Sequence, residues 1–89
     1  MIKFVVDIQQ KIMAMGGEMH ADAEEVLLEA GSKQEHLWGG NLYPDREGGD
    51  RVEFTSLINI RPTRGNRSVE ITDPELQKCV RAIVDQLAP

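Results

Sequence analysis

The sequence predicts an α+β fold, in which an antiparallel β-meander of four to five strands is covered by a C-terminal α-helix. Hydrophobic and polar residues alternate over 2–8 and 51–60, which is the period of a half-buried strand. Residues 74–87 instead repeat their apolar positions at helical spacing. Because 89 residues leave no room for a second core, the whole chain, 1–89, is expected to form a single domain.

The N-terminal third of the chain is typical of a hairpin. One face of the first predicted strand is apolar, with Ile2, Phe4, Val6 and Ile8. A second apolar run, from Ile12 to Met15, follows after a short gap and ends at a Gly-Gly pair. The gap is short enough for a tight turn, although it lacks the Asn-Gly or Asp-Gly pair that favours one.

Residues 21–30 fit two interpretations, and the pattern does not decide between them. As a helix, they place four apolar residues on one face, with Asp22 and Glu25 as a capping box and Gly31 closing the end. As a strand, residues 24–29 form one arm of a hairpin that turns after them. Helix propensity favours the first interpretation.

Two further strands are predicted after this segment. The first is His36–Tyr43, where the Gly39-Gly40 pair indicates a bulge or a close approach of another backbone. Residues 44–50 are an exposed turn. Residues 51–60 have the clearest alternation, so we expect a central or near-central strand that turns four side chains toward the C-terminal helix: Val52, Phe54, Ile58 and Ile60.

The C-terminal helix has the strongest start signal in the chain. Asp73 is expected to cap it, and Pro74 occupies the first helical position, where its missing N–H costs nothing. The side chains expected to be buried are Leu76, Val80, Ile83 and Val84.

Charge and composition exclude several function classes. Fifteen acidic residues outnumber ten basic ones, for a net charge of −5, which argues against nucleic-acid binding and against contact with anionic lipid. No apolar stretch approaches the length of a membrane span, and the N-terminus does not resemble a signal peptide. The single cysteine, Cys79, fits a reducing compartment, so the cytoplasm is expected.

The best candidate for function is an arginine-rich loop. Arg61, Arg64 and Arg67 lie within seven residues of an acidic chain, with Asn66 and Ser68 as further donors. Guanidinium groups bind phosphate or carboxylate through paired donors, so the loop predicts a site for a small anion or an acidic partner. The competing interpretation is that these arginines pair with the acidic half of the chain. The predicted function is therefore a small binding or interaction module.

A metal-assisted hydrolase is the alternative from another class. His20, Asp22 and His36, with Glu24 and Glu25 nearby, are residue types that hold zinc, iron or manganese. Their spacing matches no strong metal signature, so neither a metal nor a cofactor is expected, and no catalytic residue is assigned.

Aromatic residues and open strand edges give two weaker expectations. Trp38 and Tyr43 flank the glycine pair and either stack on a ligand ring or anchor the core. Cys79 is expected to be a buried, inert thiol. Because a small meander leaves unpaired edges and apolar surface, a homodimer or adaptor role is a third possibility.

Several motifs together resemble a known family. They are GGEMHAD at 16–22, QEHLWG at 34–39, INIRP at 58–62 and NRS at 66–68. With these runs the chain resembles a family of small bacterial and archaeal proteins classed as a domain of unknown function, over nearly its whole length. Because the family's function is unknown, the resemblance implies no activity, cofactor or catalytic residue.

Overall fold

The computed structural model describes residues 1–88, and over this range the chain forms four strands and two α-helices. The strands are β1 (Ile2–Asp7), β2 (Ile12–Met15), β3 (Leu37–Leu42) and β4 (Val52–Glu53). The helices are α1 (His20–Glu29) and α2 (Pro74–Leu87). All neighbouring strands are antiparallel, in the order β2-β1-β3-β4. The predicted α+β class, with a C-terminal helix covering an antiparallel sheet, is confirmed.

The strand order differs from a simple meander at one place. β3 pairs with β1 instead of β2, so the chain passes over β1 between β2 and β3. Since β2 and β3 both run antiparallel to β1, they are parallel to each other, and such strands need a long crossover. α1 provides that crossover, so the helix interpretation of residues 21–30 is confirmed for the part up to Glu29.

β1 is buried on both faces, whereas the alternation of residues 2–8 predicted a half-buried strand. Phe4 and Val6 lie in a cluster with α2, and Val5 lies in a second cluster with Ala23 and Leu27 of α1. The prediction of one covered face was wrong because α1 covers the other. Full burial of such side chains contributes roughly 1.5–3 kcal/mol each.

The caps of α1 differ in part from the predicted ones. Met19 is the N-cap, and Asp22 reaches back to accept a hydrogen bond from the Met19 N–H at 3.1 Å. Asp22 is therefore the third residue of the helix in this capping box, and not the N-cap residue that the sequence predicted. Glu25 takes no part in the cap. Gly31 ends the helix with a φ of 100°, and the Ser32 N–H donates to the Leu27 carbonyl at 2.9 Å, as in a Schellman motif.

α2 begins where the sequence places it. Pro74 is its first residue, and the Asp73 carboxylate accepts a hydrogen bond from the Glu75 N–H at 2.9 Å. Val80, Ile83 and Val84 are buried as expected, while Leu76 is partly buried at the border of the same cluster. The C-terminal helix is thus confirmed in start, cap and buried face.

The predicted central strand over residues 51–60 was wrong. Only Val52–Glu53 pairs with β3, at the edge of the sheet, and the chain then turns through a 3₁₀ segment, Leu57–Asn59. Phe54 is buried beside α2 as expected, but Ile58 packs against the α1 cluster and Ile60 is exposed. The physical reason is that the Asn59 side chain, and not a strand backbone, bonds the backbone groups of Gly39 in β3.

Helices long and apolar enough to cross a bilayer are absent from the described residues.

Candidate functional site

Residues 54–72 form an irregular layer beside β3, and two asparagine side chains hold it in place. The first is Asn59, which is fully buried. Its Oδ1 accepts from the Gly39 N–H at 2.9 Å, and its Nδ2 donates to the Gly39 carbonyl at 3.0 Å. The amide thereby bonds the two backbone groups of Gly39 that a neighbouring strand would otherwise have bonded. Strand pairing with β3 therefore stops after Glu53.

Asn66, a predicted ligand residue, is the second of these asparagines. Its Nδ2 lies within hydrogen-bond distance of the carbonyls of Asn59, Ser68 and Glu70, at 2.8–3.0 Å. Its Oδ1 accepts from the N–H and hydroxyl of Thr72, both at 2.9 Å. The side chain is buried and fully used inside the protein, so it has no group left for a ligand.

Arg61 lies between this layer and α1, with only 12% of its side chain exposed. Its Nη1 donates to the Gln34 carbonyl at 2.7 Å, its Nη2 lies 3.6 Å from Oε2 of Glu24, and its guanidinium covers the Trp38 ring at 5.2 Å. Burial lowers the pKa of Arg61, Glu24 opposes that shift, and Arg64 adds to it by repulsion. Arg61 therefore pairs with the acidic half of the chain, as one of the two interpretations expected.

Arg64 stands beside Arg61 on the 3₁₀ turn Pro62–Arg64 and is far more accessible, with 43% of its side chain exposed. Among the described residues, its ion-pair partner is Glu35, with Oε2 at 4.0 Å. Both arginines line a cleft of about 570 Å³, together with Glu24, Gln34 and Glu35. The apolar part of the cleft wall is formed by Leu57, Ile60 and Pro62. We call this space the arginine cleft.

The other predicted members of the arginine loop lie outside this cleft. Arg67 is exposed and is not among the lining residues. The Ser68 hydroxyl accepts from the Glu70 N–H at 3.1 Å and stabilises the local turn. The structure thus brings together Arg61 and Arg64, and it places Asn66, Arg67 and Ser68 elsewhere.

The residues of the metal hypothesis are not brought together. His20 Nε2 is 2.7 Å from the Gly40 carbonyl, whereas His36 directly precedes β3. Four residues of extended chain separate these positions, about 13 Å. Asp22 is occupied in capping α1. Within residues 1–88, groups of three or more metal-binding side chains do not occur.

The glycine pair is explained by close approach. A Cβ on Gly40 would stand 2.5 Å from both the Glu53 carbonyl oxygen and the Phe4 ring, and one on Gly39 would stand 2.8 Å from the Ser56 side chain. Trp38 is a core residue, while Tyr43 lies at the margin under Arg46. The aromatic pair therefore does not form one stacking surface.

A second, largely apolar cavity was not predicted. It measures about 480 Å³ and is lined by Met19, His20, Asn41, Leu57 and Val69, among others. Leu57 is 76% exposed and lines both this cavity and the arginine cleft. The sequence signal was Leu57 itself, an apolar residue on the polar side of an otherwise alternating run.

Asp7 is a buried carboxylate that sequence reasoning also missed. Burial alone would raise its pKa, but hydrogen bonds from the Ser32 hydroxyl at 2.6 Å and from the N–H groups of Gln9 and Gln10 outweigh burial and lower it. Asp7 joins the β1–β2 turn to the end of α1. These hydrogen bonds give Asp7 a structural role at this junction.

The fold is thus an antiparallel sheet between two helices, with an irregular layer at one side that carries an arginine cleft. The family model described as "Protein of unknown function (DUF5674)" matches residues 1–87, so the chain belongs to that family. No curated protein and no solved structure matches the chain. Family membership indicates no function.

Proposed function

We propose that the protein is a binding module whose ligand site is the arginine cleft. The ligand is a small molecule that carries a carboxylate or phosphate group and an apolar part. The observation that carries the proposal is that two neighbouring arginines differ in how firmly contacts within the protein fix their side chains. Arg61 is fixed at the wall by three contacts, while Arg64 is exposed and has only a 4.0 Å contact to Glu35.

This pair of arginines is suited to an anion because their charges repel across the cleft. Burial lowers the pKa of Arg61, and repulsion from Arg64 adds a smaller effect in the same direction. An anionic group between them relieves the repulsion and accepts hydrogen bonds from a planar donor set. Exposed ion pairs contribute at most about 1 kcal/mol, so Arg64 exchanges Glu35 for a ligand at low cost.

Glu24 and Glu35 limit the ligands that fit. Since they balance the two arginines, the cleft has no large excess of positive charge. A bare anion is therefore expected to bind weakly, and a ligand that also covers Leu57 and Ile60 is expected to bind more tightly.

The test is a thermal-shift titration with inorganic phosphate, sulfate and AMP, each at an ionic strength matched with sodium chloride. A ligand at ten times its Kd stabilises the folded state by about 1.4 kcal/mol, which raises the Tm of a domain of this size by roughly 5 °C or more. We expect such a shift with AMP and a smaller one with phosphate.

Two variants on the same loop give the matched comparison. Arg64→Ala is expected to abolish the shift, and Arg67→Ala, which removes the same charge outside the cleft, is expected to keep it. Equal loss in both variants would show that general charge is responsible. The absence of any shift in the unmodified protein would refute the anion site and leave an adaptor role without a small ligand.

A further inference from the structure

The two outer sides of the sheet are protected very differently. Directly after β4, the chain at 54–56 pairs with 69–71 through the Thr55–Glu70 bridge, so the continuation of that edge is covered. At the other side, β2 is the edge strand of the described sheet and contains only Ile, Met and Ala. Edge strands normally avoid pairing with other chains by means of charges, prolines or bulges, and β2 has no charged residue or proline.

The alternation of hydrogen-bonded pairs between β1 and β2 shows which backbone groups of β2 point outward. The Gly16 N–H donates to the Lys3 carbonyl at 2.9 Å, so Lys3 and Gly16 are a hydrogen-bonded pair. Bonded pairs alternate along an antiparallel ladder, so Ala14 and Ile12 bond to β1 and the backbone groups of Met13 and Met15 point away from it. Each presents one free N–H and one free carbonyl along the outer edge.

The surface beside this edge is apolar. Met15 is 48% exposed. On α1, Asp22 lies against Gly17, directly after β2, and exposed Val26 lies one turn further along the same side. Met15 lies on the α2 face of the sheet together with Met13, which is partly buried with Cys79 at the border of the α2 cluster, whereas Val26 lies on the α1 face.

We propose that β2 pairs with β2 of a second copy of this chain, in antiparallel orientation about a two-fold axis. The two four-stranded sheets then form one continuous sheet of eight strands. Ala14 lies on the axis opposite its symmetry mate, and Met13 of each copy bonds with Met15 of the other. This register uses all the outward groups of both methionines, for four hydrogen bonds.

Charge selects a second copy over an unrelated strand. In this register Lys11 of one copy faces the Gly16–Glu18 turn of the other, and Glu18 is exposed there. The two-fold axis repeats this contact, which gives two complementary Lys11–Glu18 pairs at the ends of the shared ladder. Met15 of each copy then packs beside Met13 of the other on the α2 face, and the exposed Val26 side chains lie beside the shared ladder on the α1 face.

The primary experiment is sedimentation equilibrium of the full chain over a range of concentrations. We expect a dimer of twice the 10.0 kDa chain mass. Met15→Pro removes one outward N–H and no bond to β1, so it should raise the dimer Kd at least tenfold. Met15→Thr keeps that N–H and is expected to remain a dimer.

A charge exchange tests the register and does not depend on whether the proline variant folds. Lys11→Glu and Glu18→Lys are each expected to weaken the dimer several-fold, and the double variant is expected to restore it. A monomer of 10.0 kDa at all concentrations, or a Met15→Pro variant that dimerises as tightly as Met15→Thr, would overturn the proposal. A double variant that is as weak as the single ones would overturn the register.

Discussion

Asn59 bonds both backbone polar groups of Gly39 with its side-chain amide, at 2.9 and 3.0 Å. A third contact, from its Nδ2 to the Val69 carbonyl at 3.1 Å, joins β3 to the far side of the irregular layer. The amide thus takes the place of a strand neighbour.

Asn59→Ala should lower the free energy of unfolding by about 3 kcal/mol or more, because each buried polar group left without a partner costs roughly 1–3 kcal/mol. Urea unfolding measures the change. Leu57→Ala, two residues away and exposed, is the control and should stay within about 0.5 kcal/mol of the unmodified protein. Equal effects of the two changes would contradict the role of the amide.

Gly40→Ala should destabilise the protein by at least about 1–3 kcal/mol, because the new Cβ would stand 2.5 Å from the Glu53 carbonyl and the Phe4 ring. Gly49→Ala makes the same chemical change where no atom lies within 4 Å. Thermal unfolding of the two variants side by side should show a loss only for Gly40→Ala.

Asp7 should make stability depend on pH in the acid range. Its pKa in the folded protein lies below the usual 3.8, so its ionised form stabilises the folded state above that value. This contribution is lost as the pH falls through the folded-state pKa. Urea midpoints should therefore differ between the unmodified protein and Asp7→Asn at pH 7, and the difference should shrink below about pH 4. A constant difference down to pH 2 would exclude this titration.

Asp73→Ala should cost about 0.5–2 kcal/mol, because it removes the side-chain acceptor for the Glu75 N–H at the start of α2. Asp73→Ser keeps a capping oxygen and should recover most of the loss. The stability changes of both variants are measured as shifts of the unfolding midpoint. An unchanged midpoint in Asp73→Ala would argue against the cap.

Arg61→Met should destabilise the protein by roughly 2–4 kcal/mol, since it leaves the mostly buried Glu24 carboxylate without its partner. Adding Glu24→Met should recover a large part of that loss. A double-mutant cycle from chemical unfolding gives the coupling energy between the two positions. A coupling near zero would mean that the 3.6 Å contact does not contribute to stability.

The elements with local signals were predictable, and those decided by distant contacts were not. Asp73 and Pro74 are adjacent to the helix they start, so the sequence alone locates α2. Residues 21–30 fit both a helix and a strand pattern, and helix propensity gave a preference that the crossover between β2 and β3 supports. Residues 51–60 have strand periodicity, but the Asn59 amide reaches Gly39, twenty residues away, and no local pattern reports such a bond.

The candidate site was predictable to a similar extent. The cluster of arginines was visible in the sequence, and Arg61 with Arg64 do line one cleft. Asn66 could not be distinguished from a ligand residue, because its partners at Asn59 and Thr72 depend on how the loop folds back. The pairing of Arg61 with Glu24 likewise depends on α1, whose structure the sequence left open.

Asn66 has a consequence for how the molecule opens in solution. Its single amide connects backbone groups of residues 59, 68, 70 and 72. A movement of the Asn66 side chain breaks all of these bonds together, so the positions are expected to open together. In amide hydrogen exchange, the irregular layer should therefore behave as one cooperative unit with a shared opening energy, unlike a loop that frays from its ends.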